Sequence, residues 1–200
     1  MHEVKFDGWR AQLHVDGDGY ALFTKNGADY TKRLNQIAHI AKSVPAKNAI
    51  LDCELIACDD TGMPCFRTLM ELGNKATLCL VAFDLLHLDG VRLTPIPIEE
   101  RKAILKMLVA KVGWPYLQFS DTFEDPAELL DTCVRMNFEG IVSKRKGSAY
   151  RTNAGLAQDQ DCELARGEPA EVGDISENGV AAAAGWPHDH VTLLQADHIN

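Results

Sequence analysis

Two nine-residue runs constrain this chain more than anything else in it. Ala49-Ile50-Leu51-Asp52-Cys53-Glu54-Leu55-Ile56-Ala57 is apolar apart from Asp52 and Glu54, and Leu78 to Leu86 is apolar apart from Asp84. Each has the length of a strand and falls far short of the roughly 18 to 20 apolar residues that cross a bilayer. Turn-forming residues close both, Asp59-Asp60-Thr61-Gly62 after the first and Asp89-Gly90 after the second. A carboxylate set in apolar sequence is costly unless it is paired. Such strands therefore carry either an internal salt bridge or chemistry.

Strands and helices alternate around these runs through the first 150 residues. Gln12 to Val15 and Tyr20 to Thr24 flank Asp16-Gly17-Asp18-Gly19 and predict a hairpin, after which Asn26-Gly27 turns the chain again. Leu34, Ile37, Ile40, Ala41 and Val44 recur at helical spacing up to Pro45. Further helices are expected at about 97–112, where Ile104, Leu105 and Leu108 share a face, and at about 126–137; Gly140 to Lys144 then reads as a short strand.

The charge is not spread evenly. The formal net of -9 is unfavourable for a nucleic-acid binder, but residues 1–153 hold 19 basic against 20 acidic side chains, whereas 154–200 hold Arg166 against nine acids. The tail shows neither strand nor helix periodicity, so 1–153 is expected to be the folded domain and 154–200 disordered or poorly packed. With 46% hydrophobic and 24% charged residues, the whole is a globular composition. No basic segment followed by an apolar one opens the chain, which predicts a cytoplasmic protein. The six cysteines form no C-x-x-C pair, which argues against a zinc ribbon and leaves free thiols as the expectation.

Five motifs follow one another in a telling order: Lys5-x-Asp7-Gly8-x-Arg10, Asn26-Gly27, Leu51-Asp52-x-Glu54, Phe83-Asp84-Leu85-Leu86, and Glu139-Gly140-Ile141-Val142-Ser143-Lys144. Each alone is weak, and together they resemble ATP-dependent DNA ligases. The pattern is most similar to the ligase domains of bacterial non-homologous end-joining proteins, notably at His2-Glu3-Val4-Lys5 and at Glu139 to Lys144. The resemblance covers about residues 2–151. Its looser form is shared with RNA ligases and mRNA capping enzymes, and a non-catalytic remnant that binds nucleotide or DNA is a third reading.

The resemblance implies an α+β, ATP-grasp-like nucleotidyltransferase fold of antiparallel sheets flanked by helices, without the oligonucleotide-binding-fold domain that follows in the family. It implies that Lys5 takes AMP from ATP, that the AMP passes to a 5′-phosphate at a nick in double-stranded DNA, and that the 3′-hydroxyl displaces it. Glu3, Arg10, Lys25, Glu54, Phe83 and Lys144 would contact the nucleotide, with Phe83 stacked on adenine. Glu54 and Glu139 would hold magnesium or manganese. A monomer acting beside end-joining repair proteins is the expected setting.

The residues add chemistry of their own. A nucleophilic lysine must be neutral, yet at pH 7 a free lysine with a pKa of about 10.4 is neutral only about once in a few thousand. Arg10 lies five residues after Lys5, so the turn at Gly8 must redirect the chain if both are to face one ligand. Asp84 has no assigned role, and Lys144, beside Arg145 and Lys146, suits a phosphate, a DNA backbone or a solvated edge alike.

Departures from the family pattern temper the expectation of activity. Lys25 stands where the family has arginine and Cys53 where it has glycine; four residues precede Lys5, and no Trp-x-Lys-x-Lys follows residue 153. Codons able to encode Leu156 to Asp161, read one nucleotide later, encode Trp-Pro-Lys-Ile-Lys-Thr, so the tail is expected to be a frameshifted segment and the activity impaired. Sequencing the gene across these codons tests that expectation.

Overall fold

The computed structural model describes residues 1–17, 19–58, 64–71, 77–112, 117–151 and 162–165. Two sheets organise them. The larger begins with the hairpin expected from the turn cluster: β2 (Trp9–Asp16) pairs antiparallel with β3 (Gly19–Thr24), after a short β1 (His2–Lys5) that belongs elsewhere. A 3₁₀ turn (Asn35–Ile37) leads into α1 (Ala38–Ser43), and Leu34, Ile37, Ile40, Ala41 and Val44 are all buried, as their spacing predicted. Val44 turns extended ahead of Pro45, which disfavours helix in the residue before it.

The two acid-bearing runs form the middle of this sheet. They become β4 (Asn48–Cys58) and β5 (Thr77–Leu88), with the short α2 (Phe66–Glu71) in between. The sheet order is β3-β2-β4-β5-β6, where β6 is Val91–Arg92, and all of these pairs are antiparallel. After α3 (Ile98–Ala110), β7 (Leu117–Phe119) adds to β5 in parallel, the one departure from an antiparallel sheet among the described residues. Leu13, Leu51, Leu80, Leu85 and Leu105 are fully buried between the sheet and its helices. Each contributes about 1.5–3 kcal/mol by leaving water.

The second sheet is small. α4 (Pro126–Arg135), capped by Asp125 through the backbone N–H groups of Ala127 and Glu128, precedes β8 (Gly140–Lys144). β8 pairs antiparallel with β1 on one side and with β9 (Cys162–Ala165) on the other. β9 is a strand inside the segment expected to lack order; the rest of that segment, 154–161 and 166–200, lies outside the described residues, as does the turn at 59–62. The α+β class with antiparallel sheets flanked by helices is therefore as expected. No helix among the described residues is long and apolar enough to cross a membrane. Cys53, Cys65 and Cys133 are free thiols.

Candidate functional site

A cavity of about 330 Å³ opens where the two sheets meet. Lys5 ends β1 in the small sheet and Arg10 lies on β2 in the large one, with Phe6 to Gly8 crossing between them. That crossing redirects the chain as the five-residue spacing required, and both side chains line the cavity. Gly8 permits it. A Cβ there would collide with the Leu55 carbonyl oxygen and lie 3.0 Å from Glu54 Cγ and 3.1 Å from Ile56 Cγ2.

Strand alternation arranges β4. Asp52 and Glu54 share one face, while Cys53 packs into the main core on the other. Replacing glycine by Cys53 thus crowds nothing on the side of the acids. Asp52 is fully buried and accepts two hydrogen bonds from Arg10, 3.2 Å from Nε and 2.8 Å from Nη2. The Tyr150 hydroxyl donates to the same carboxylate at 2.6 Å, and Arg10 Nη2 lies 3.2 Å from that hydroxyl. The bond to Asp52 drives the Arg10 pKa up; burial and the Asp52 charge push the Tyr150 phenol up. Arg10 is held as a fixed cation 5.5 Å from the centre of the Phe83 ring.

Phe83 faces the cavity with a second cation against it, Lys144 Nζ at 4.8 Å from the ring centre. Asp84, whose role the sequence left open, is buried and pairs with Arg101 at 2.7 and 2.8 Å. Glu3 lines the cavity, but its carboxylate is buried and committed: Lys144 at 2.8 Å and Lys102 at 3.0 Å share Oε1, and the Ser120 hydroxyl donates to Oε2 at 2.7 Å. Burial raises the pKa of this carboxyl, yet the charges of Lys144 and Lys102 outweigh it and hold Glu3 below its ordinary value.

Two predicted residues are placed differently from the rest. Lys25 is exposed and is not among the cavity-lining residues; only its backbone N–H reaches the site, donating to the Arg10 carbonyl at 3.1 Å. Glu139 stands just ahead of β8 and forms an ion pair with Lys5. Sequence reasoning missed Lys102, Ser120, Tyr150 and the tie from Asp52 to Arg10. Only the first had a usable signal, since Arg101 and Lys102 stand on the face of α3 that buries Ile98 and Leu105.

Glu54 has its carboxyl strongly perturbed by its surroundings. Burial pushes its pKa up to about 7, and Lys5 and Arg10 only partly oppose that. The folded chain thus binds this proton more tightly than the unfolded chain, where the ordinary value is 4.5. Stability from neutral Glu54 is fully present below that value and is lost as pH rises through about 7. In EDTA without nucleotide, the melting temperature should fall from about pH 5 to about pH 8 more steeply in wild type than in Glu54→Gln. Parallel curves would show that Glu54 is not the group responsible.

Among the described residues no cluster of three or more His, Cys, Asp or Glu side chains is arranged to hold a metal. Glu54 and Glu139 are two carboxylates near one lysine, which suits a cation that completes its shell with phosphate and water rather than one caged by protein alone.

Comparison with known proteins fits this geometry. The family model for the ATP dependent DNA ligase domain matches residues 1–155. The chain belongs to that family. Over 155 residues this ligase-family chain is 35% identical to the multifunctional non-homologous end joining protein LigD of Pseudomonas aeruginosa, covering 76% of the chain and 18% of the relative. It is 32% identical over 161 residues to a DNA ligase of Natronomonas pharaonis, covering 74% and 29%. The chain therefore spans less than a third of the length of either relative. Its fold matches that of the ligase domain of M. tuberculosis LigD with a TM-score of 0.72 at 24% identity, over 82% of this chain and 54% of that one. A mycobacterial DNA ligase D complexed with ATP and MES matches with a TM-score of 0.73 at 24% identity, over 82% and 53%.

Proposed function

We propose that residues 1–153 bind ATP in the cavity between the sheets and transfer AMP to Lys5, as the first step of sealing nicked double-stranded DNA. The observation that carries this is the convergence of Lys5, Arg10, Glu54, Phe83 and Lys144, from five separate strands, on one cavity of about 330 Å³. Adenine stacks on Phe83, and Arg10 and Lys144, the two cations beside that ring, are the groups to meet the ribose and phosphates. Glu54 and Glu139 would hold a divalent cation, magnesium or manganese, which would neutralise phosphate charge.

The residues of the chain set the order of events. Lys5 has no lone pair to offer as an ammonium paired with Glu139, so its proton must pass to a base, Glu139 or water, before the nitrogen attacks the α-phosphorus and pyrophosphate leaves. Arg10 needs no reorganisation, because Asp52 and Tyr150 already fix its guanidinium. Lys25 acts through the backbone that supports Arg10 rather than through its ammonium. Transfer of AMP to a DNA 5′-phosphate follows from the family and the end-joining relative, with end-joining repair proteins as the expected partners.

Incubating the full chain with α-labelled ATP and magnesium should leave label covalently on wild type and none on Lys5→Ala. Label on both proteins, or on neither, would remove this reading. Adding nicked DNA or nicked RNA to labelled protein then identifies the acceptor.

A further inference from the structure

α3 carries a lysine that is neither on the surface nor on the cavity wall. Lys102 is 4% exposed, and its Nζ donates to the Ser120 carbonyl at 2.8 Å and lies 3.5 Å from the Phe83 carbonyl and 4.5 Å from the centre of the Phe119 ring. It also reaches Glu3 Oε1 at 3.0 Å, although Lys144 already holds that oxygen at 2.8 Å. Two ammonium groups on one buried carboxylate is one more than neutralisation requires. The surplus is costly: burial, with Lys144 adding to it and Glu3 opposing, pushes the Lys102 pKa down to about 8.

The two lysines differ in what else they can reach. Lys102 is enclosed by carbonyl oxygens, the Phe119 ring and Glu3, and is not among the residues lining the cavity. Lys144 lines it, with 18% of its side chain exposed and its ammonium against Phe83. A phosphate in the cavity competes with Glu3 for Lys144 and not for Lys102.

We propose that Lys102 is a positioning residue for nucleotide transfer, remaining as the counter-ion of Glu3 when Lys144 leaves that carboxylate for a nucleotide phosphate. This rests on the reading of the cavity as an ATP site. Glu3 is 2% exposed, and a carboxylate left unpaired at that depth is strongly unfavourable. Lys102 and the Ser120 hydroxyl keep it paired, so Lys144 exchanges one anion for another with no buried charge stranded. Glu3 lies two residues before Lys5 on β1, and the same contacts hold that strand still while Lys144 moves.

The test is single-turnover labelling of Lys5 over a range of α-labelled ATP concentrations, with the full chain as wild type, Lys102→Met, Glu3→Gln and Glu3→Gln/Lys102→Met. Lys102→Met should raise the ATP concentration for half-maximal labelling at least about tenfold while changing the saturating rate much less. Adding Glu3→Gln should recover most of that loss, because no anion remains to be stranded. A packing role alone predicts a double variant no better than Lys102→Met, and that result, or an unchanged Lys102→Met, overturns the proposal. Should thermal melts show Lys102→Met unfolded, Glu3→Gln compared with the double variant decides. Little difference supports the proposal and a tenfold one overturns it. Wild type that takes no label removes the underlying reading, and this proposal with it.

Discussion

Replacing Arg101 with methionine is expected to lower the unfolding free energy by about 3–5 kcal/mol, the range for removing one partner of a buried ion pair. The Arg101 side chain is 1% exposed and its guanidinium has four acceptors: both oxygens of Asp84, the Ile96 carbonyl, and the Ser148 carbonyl at 3.2 Å. Methionine fills much of the volume but leaves Asp84, 4% exposed, with the backbone N–H of Leu85 at 2.8 Å as its hydrogen-bond donor among the described residues. The consequence extends beyond stability, because Arg101 lies 5.9 Å from the Tyr150 ring and secures the segment that delivers Tyr150 to Asp52 and Arg10. Denaturant unfolding measures the effect. Arg101→Met/Asp84→Asn should be less destabilised than Arg101→Met alone, since the stranded charge is gone. A loss of less than about 1 kcal/mol in the single variant would mean that another cation neutralises Asp84.

That ion pair also shows where sequence reasoning stops. Period and turn chemistry placed β4 and β5, because an apolar run bounded by turns has few alternatives, and they placed the β2–β3 hairpin through its Asp-Gly cluster. The acids inside those strands were recognisable as needing partners. Which partners was not: Asp52 lies 42 residues from Arg10 and 98 from Tyr150, and Asp84 lies 17 from Arg101, separations that no local pattern encodes. Short elements escaped for a related reason. β1, β6, β7 and β9 have two to four residues each, too few to show a period, and their strand geometry comes from pairing with neighbours already in place.

Within the site, Lys5, Glu54, Phe83, Lys144 and Glu139 were singled out through a resemblance in motif order, and the structure adds where each side chain lies. The placements that the motifs did not suggest are those of Glu3 and Lys25. The first has its carboxylate buried beneath the cavity between two lysines, and the second has only its backbone in reach. Lys102 reads as a surface charge in Glu99-Glu100-Arg101-Lys102 unless the helix face is counted, which puts it with Ile98 and Leu105. Charged residues on an apolar face are the sequence signature of a buried polar network. Here that network reaches the cavity wall through Glu3 and Lys144.

Gly8→Ala should reduce labelling of Lys5 by about a hundredfold, the cost of misplacing a reacting group by about an ångström. The alanine methyl would clash with the Leu55 carbonyl oxygen, which is backbone in the central strand β4 and cannot give way. Phe6 to Gly8 must therefore shift, and this crossing sets Lys5 of one sheet against Glu54 and Arg10 of the other. The stability cost should be smaller, about 1–3 kcal/mol, as for other overpacked sites, so the variant remains folded well enough to assay. Gly17→Ala separates the local effect from glycine loss in general. Gly17 has φ +56° in the hairpin turn with nothing within 4 Å of an added Cβ, so alanine there strains the backbone by about 1–2 kcal/mol and leaves labelling unchanged. If Gly8→Ala labels at the wild-type rate, the close approach of Gly8 to Leu55 does not fix the nucleophile, and the two sheets hold their relative position by other contacts.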